Sequence, residues 1–110
     1  MKEIFDIVSY RSSEITTKLY STSFSLGIKA LDSELHKPIY AIYGFVRLAD
    51  EIVDTFHNFD KETLLLKFKH DTHEAIKDKI SLNPILNSFQ DVVNFYNIDL
   101  DLVDTFLNSM

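Results

Sequence analysis

The sequence contains no cysteine and no tryptophan, and only two glycines and two prolines in 110 residues. Average usage, roughly 7% glycine and 5% proline, would give about a dozen of the two together. Without cysteine there is no disulfide scaffold, no thiolate zinc site and no cysteine nucleophile. So few turn formers leave little room for the many tight turns of a sandwich or barrel, and long helices joined by short loops are expected. Positive charge is also scarce: 11 Lys and Arg stand against 17 Asp and Glu, for a net charge of −6. That balance argues against nucleic acid as the main partner. The longest apolar run, Pro38 to Val46, stops at Arg47, far short of the roughly 18 residues that span a bilayer. Residues 1–6 carry charges of both signs and no apolar segment of the secretory type follows. A cytoplasmic protein is therefore expected, with peripheral contact at a membrane left open. What is present, 45% hydrophobic and 25% charged residues, is ordinary globular composition. The expectation is an acidic, all-α chain of one domain or less.

Apolar spacing predicts five to six helices. Ile4, Phe5, Val8, Ile15 and Leu19 mark the buried face of the first. Ser21-Thr22-Ser23-Phe24-Ser25 reads as a break and N-cap region, before a short helix over Leu26 to Leu31. A third helix starting at Glu34 would be kinked by Pro38, whereas one restarting at Pro38 would hold the proline comfortably at its first position. Asp60, Asn83 (followed by Pro84) and Asp99 are the caps expected for the last three helices.

The segment from Pro38 to Phe56 differs from the others. Ile42, Phe45, Val46, Leu48, Ala49, Ile52, Val53 and Phe56 cover most of a helical wheel, which predicts burial on nearly all sides. Tyr43, Arg47, Asp50 and Asp54 recur at i, i+4, i+7 and i+11, in a stripe about 60° wide on the remaining face. Two aspartates one turn apart repel each other. Arg47 can pair with Asp50 or Asp54 but cannot neutralise both. A divalent hard cation would satisfy the carboxylates, and Mg²⁺ favours one or two carboxylates together with substrate phosphate oxygens. Arg47 suits phosphate by its planar fork. A plain surface stripe of acids with a structural Arg–Asp pair is the competing reading. A di-iron bundle would need Glu-x-x-His pairs, and none occurs. His70 and His73 share a face of a charged helix, where solvation is expected.

In order and separation, Ser21-Thr22-Ser23-Phe24 and Ala41-Ile42-Tyr43 through Arg47, Asp50 and Asp54 resemble the N-terminal portion of the squalene/phytoene synthase family. The likeness runs from about Ser9 to the last residue and is closest from Tyr20 to Phe56. It implies the all-α isoprenoid synthase fold, with residues 1–110 as the N-terminal portion of one domain. It also implies head-to-head condensation of two prenyl diphosphates through a cyclopropyl intermediate. Geranylgeranyl diphosphate would lead to phytoene and carotenoids; farnesyl diphosphate would lead to a dehydrosqualene or squalene-type product. Carried over by position, Asp50 and Asp54 match a motif that holds Mg²⁺ (or Mn²⁺) against the diphosphate, and Arg47 and Tyr43 match diphosphate contacts. Ser21, Ser23 and Phe24 match residues near the diphosphate and the reacting chain, and Glu51 is assigned a supporting role. The family also needs a second aspartate-rich motif, and this sequence has one D-x-x-x-D only. The resemblance therefore implies a truncated chain, inactive alone. The alternative is a non-catalytic helical binding or assembly domain of the same ancestry.

Overall fold

Six α-helices make up the computed structural model, which describes residues 1–110: α1 (Lys2–Tyr20), α2 (Thr22–Lys29), α3 (His36–Asp54), α4 (Lys61–Asp78), α5 (Pro84–Phe95) and α6 (Leu100–Asn108). A 3₁₀ turn, Ser33–Leu35, leads into α3. Because α3 begins at His36, Pro38 lies in its first turn, where a missing N–H breaks no intrahelical bond. The expected all-α architecture is observed. None of the helices is long and apolar enough to cross a membrane.

Three caps lie where the sequence puts them. Asp60 accepts from the Thr63 N–H, Asn83 from those of Ile85 and Leu86, and Asp99 from that of Asp101. Each satisfies a donor that the first helical turn leaves free. The break after α1 is a single residue: the Ser21 N–H donates to the Thr17 carbonyl, closing α1, and its hydroxyl oxygen accepts from the Phe24 N–H, opening α2. The second helix therefore starts at Thr22, four residues before the expected Leu26. His70 and His73 are exposed, as expected, and His73 also meets Asp104 of α6 at 2.5 Å.

The apolar core gathers α3, α4, α5 and α6. Phe45 stacks on Phe89 at 3.7 Å between ring centroids and on Phe68 at 5.4 Å. Ala49, Ile52, Ala75, Leu86, Val93, Val103 and Leu107 close around them.

Helix α1 overturns the expectation made from its apolar spacing. Its buried face is Ser9, Ser13 and Thr17, at i, i+4 and i+8. Ile15 and Leu19 are 57% and 81% exposed, and Ile4 and Val8 also face outward. Small residues win because α1 approaches α3 closely. A Cβ placed on Gly44 would lie 2.9 Å from Ser13 Oγ and 3.2 Å from Ser13 Cα, too near for any larger pair. Their hydroxyls are satisfied without water: Ser9 and Thr17 donate to the carbonyls of Phe5 and Ser13, and Ser13 meets Ser88 Oγ at 2.7 Å.

Candidate functional site

The buried face of α3 is Tyr40, Ala41, Gly44, Phe45, Ala49 and Ile52. All-round burial was the expectation, and it does not hold. Ile42 is exposed, and Val46 and Val53 are half-buried. They form an apolar edge of α3 that the chain covers only in part. The expected polar stripe runs beside this edge. Tyr43, Arg47 and Asp50 are half-buried, and Asp54, the last residue of α3, is exposed.

Two open grooves border the stripe. One, of about 320 Å³, is lined by Phe24, Ile39, Ile42, Tyr43 and Val46. The other, of about 260 Å³, shares Ile42 and Val46 and adds Phe45, Phe89, Ile98, Leu102, Val103 and Phe106. Every residue lining them is hydrophobic. Phe24 reaches the stripe directly, stacking on the Tyr43 ring at 4.9 Å. Ser21 lies in the hinge between α1 and α2 with its oxygen committed to the cap. Ser23 is exposed in the first turn of α2.

The charges do not pair as the spacing suggests. Arg47 Nη2 donates to Glu51 Oε1 at 2.5 Å, whereas Nη1 is 4.0 Å from Asp50. Arg47 Nε is buried and has no hydrogen-bond partner. The Tyr20 ring covers the guanidinium, 4.8 Å from Arg47 Cζ. Burial works against the charge on Arg47, but the hydrogen bond and attraction of Glu51, helped by Asp50, raise its pKa nonetheless. Burial likewise opposes ionisation of Glu51, and Arg47, Tyr20 and Thr55 as donors outweigh it, so its pKa is lowered. Glu51 carries the shortest ion pair of the stripe, acting on Arg47 in the way a supporting residue does. Tyr20 was missed as a site residue, because nothing in its spacing links it to a helix that begins sixteen residues later.

With Arg47 drawn to Glu51, Asp50 keeps only the long contact and Asp54 makes no ion pair or hydrogen bond. Both carboxylates occupy the last turns of α3, where the helix dipole is negative, and the last turn itself holds no basic residue. Lys61 approaches this end but spends its ammonium on the Val53 carbonyl. Two unneutralised acids one turn apart at a negative helix end suit a divalent hard cation. No group of three or more His, Cys, Asp or Glu assembles anywhere in the chain, so water and phosphate oxygens would complete such an ion's shell.

The family model for squalene/phytoene synthase matches residues 17–110. No curated protein and no solved structure matches the chain. The matched span takes in Tyr20, the Ser21 hinge, the whole α3 stripe and both apolar grooves, and on that match the chain belongs to the squalene/phytoene synthase family, whose general chemistry is the head-to-head condensation of prenyl diphosphates.

Proposed function

We propose that the α3 stripe is a diphosphate-handling site for a prenyl diphosphate of fifteen or twenty carbons, and that the chain serves condensation of the phytoene or squalene type. One observation carries the reading: two carboxylates, Asp50 with only a 4.0 Å contact to Arg47 and Asp54 with no partner, stand at the negative end of α3, on the helix whose apolar edge lines grooves made only of hydrophobic side chains. An ionised head and a long hydrocarbon tail are the two halves of a prenyl diphosphate.

Asp50 and Asp54 would hold Mg²⁺, or Mn²⁺ in its place. Bound there, the ion supplies positive charge that draws off the diphosphate leaving group. Arg47 would offer phosphate oxygens its Nη1, the nitrogen that Glu51 leaves free, and the Tyr43 hydroxyl would donate to the same group. Ser21 and Ser23 border the head of the ligand. Phe24, Ile42 and Val46 line the path of its tail and keep water from the carbocation that diphosphate loss creates. The chain carries one acidic pair where the family chemistry uses two, so this 110-residue chain is proposed to bind a head group without turning substrate over.

The test is a titration of the chain with inorganic diphosphate and Mg²⁺, followed by NMR. Shifts confined to Tyr43, Arg47, Asp50 and Asp54 are expected. Asp50→Asn and Asp54→Asn should each weaken binding by about tenfold or more, the loss of one charged ligand contact, with an unchanged amide spectrum. Shifts that survive both substitutions would sink the assignment. Product formed from prenyl diphosphate by the chain alone would overturn the claim that it does not turn over.

A further inference from the structure

Arg47 has a carboxylate to choose on either side. Asp50 lies at i+3 and Glu51 at i+4, and the guanidinium goes to Glu51. Two groups fix that choice. Glu51 is held by a second donor, Thr55 Oγ1, at 3.2 Å. The Tyr20 ring lies over the guanidinium, 4.8 Å from Arg47 Cζ. Tyr20 comes from the last turn of α1, and α1 is locked against α3 by the close approach of Ser13 to Gly44. The clamp is therefore built by tertiary packing and not by α3 alone.

We propose that Tyr20 and Glu51 are positioning residues that hold the Arg47 guanidinium in a preset orientation and keep it off the carboxylates of Asp50 and Asp54. The role assigned to those carboxylates rests on reading them as cation ligands. A guanidinium free to pair with Asp50 would compete with the cation for the same oxygens. A guanidinium tied to Glu51 leaves those oxygens available and keeps Nη1 with no partner nearer than the 4.0 Å contact. Charge-assisted pairing makes the hold on Nη2 firm, and cation–π attraction by the Tyr20 ring adds to it.

Arg11 and Arg47 are the only arginines in the sequence, so the Nε–H region of a ¹⁵N NMR spectrum holds two signals. Arg11 is exposed, whereas Arg47 Nε is buried. One fast-exchanging and one protected Nε–H are expected. Glu51→Ala and Tyr20→Ala should each speed exchange of the protected proton by about tenfold or more, the factor for losing one charge-assisted contact, while the amide spectrum stays in place. Tyr20→Phe keeps the ring and should retain most of the protection. Two equally fast Nε–H signals in the parent chain, or protection that survives both alanine variants, would overturn the clamp. None of these signals needs metal or substrate, so they report on the clamp even if the cation reading fails.

Mn²⁺ broadening of the Asp50 and Asp54 signals tests the second half of the proposal. Glu51→Ala should weaken Mn²⁺ binding more in the parent than in an Arg47→Met background. Equal weakening in both backgrounds would mean that Glu51 acts on the ion directly, and would overturn its role through Arg47. Absence of any Mn²⁺ effect on the parent would remove the cation reading itself, a result separable from the Nε–H outcome.

Discussion

On one side of α3, α1 and α5 close in through Ser9, Ser13, Thr17, Asn87, Ser88 and Gln90, all of them buried. On the other, α4, α5 and α6 close in on Phe45 of α3 through Phe68, Phe89, Val103 and Leu107. The first seam is short-ranged and specific. Asn87 donates to Asp6 and to Ser9, Gln90 donates to Asn87, and Asn94 ties Gln90 to the Ile76 carbonyl. Polar groups can be buried so thoroughly only when each finds a partner. The second seam is held by apolar area and aromatic stacking, which ask for volume more than direction. The difference assigns the two seams different work. The aromatic seam carries the bulk of the stability. The polar seam fixes how far and at what rotation α1 meets α3, and so where Tyr20 arrives over Arg47.

The largest effect that would test this division is Phe45→Ala. Phe45 is 2% exposed and stacks within 5.6 Å of three other rings, Phe68, Phe89 and Phe106. A buried phenylalanine truncated to alanine costs about 3–5 kcal/mol, and denaturant melts should show a loss of that size. A loss under about 1 kcal/mol, the level of an ordinary substitution, would mean that the aromatic seam is not the main support.

The α3 stripe was legible in the sequence because it rests on spacing within one helix. Tyr43, Arg47, Asp50 and Asp54 lie on one face wherever that helix is placed, and the caps at Asp60, Asn83 and Asp99 need only their own following turn. The orientation of α1 was not legible. Its outward apolar face would be inward by any periodicity rule, and the reason it is not lies 75 residues away, where Ser88 meets Ser13. The choice of Glu51 over Asp50 by Arg47 was hidden for a related reason. It depends on Tyr20, and local spacing carries no information about a side chain delivered by another helix.

Asn87→Leu should come next in size. The change removes the donor shared by Asp6 and Ser9 and the acceptor used by Gln90 and by the Ser81 N–H. Buried groups left without partners cost about 1–3 kcal/mol. The same variant should also disturb the Tyr20–Arg47 contact, seen as faster Arg47 Nε–H exchange, which Phe45→Ala should not do at matched stability. If both variants move that signal equally, the two seams are not doing different work.

Tyr10 offers a pH-dependent view of the polar seam. Its hydroxyl donates to Asp91 at 2.7 Å. Burial first, then that hydrogen bond and the charge of Asp91, push its pKa well above the usual phenol range. The folded state therefore keeps this proton at pH values where the unfolded chain has lost it. Its contribution is complete below the unfolded value of about 10 and declines as pH rises beyond it. Tyr10→Phe should cost about 0.5–1.5 kcal/mol near neutrality, and the gap between parent and variant should narrow above about pH 10. A gap that stays constant across that range would mean the phenol is not held as the geometry implies.

The smallest expected effect bears most directly on the contrast between pattern and packing. Read as an amphipathic helix, α1 buries Ile15 and Leu19, and a lysine at either position would leave a charge in the core. In the structure both side chains face outward, and Lys18 beside them already lies in solvent. Ile15→Lys should then change stability by no more than about 0.5 kcal/mol, the range of ordinary surface substitutions. Ser13→Leu, on the opposite face, should be severely destabilising because Gly44 leaves no space for it. Periodicity alone demands the reverse order of the two variants. Measuring both on the same chain therefore decides whether close approach to Gly44 or apolar spacing sets the rotation of α1. The site depends on the answer, since half a turn of that helix would carry Tyr20 away from Arg47.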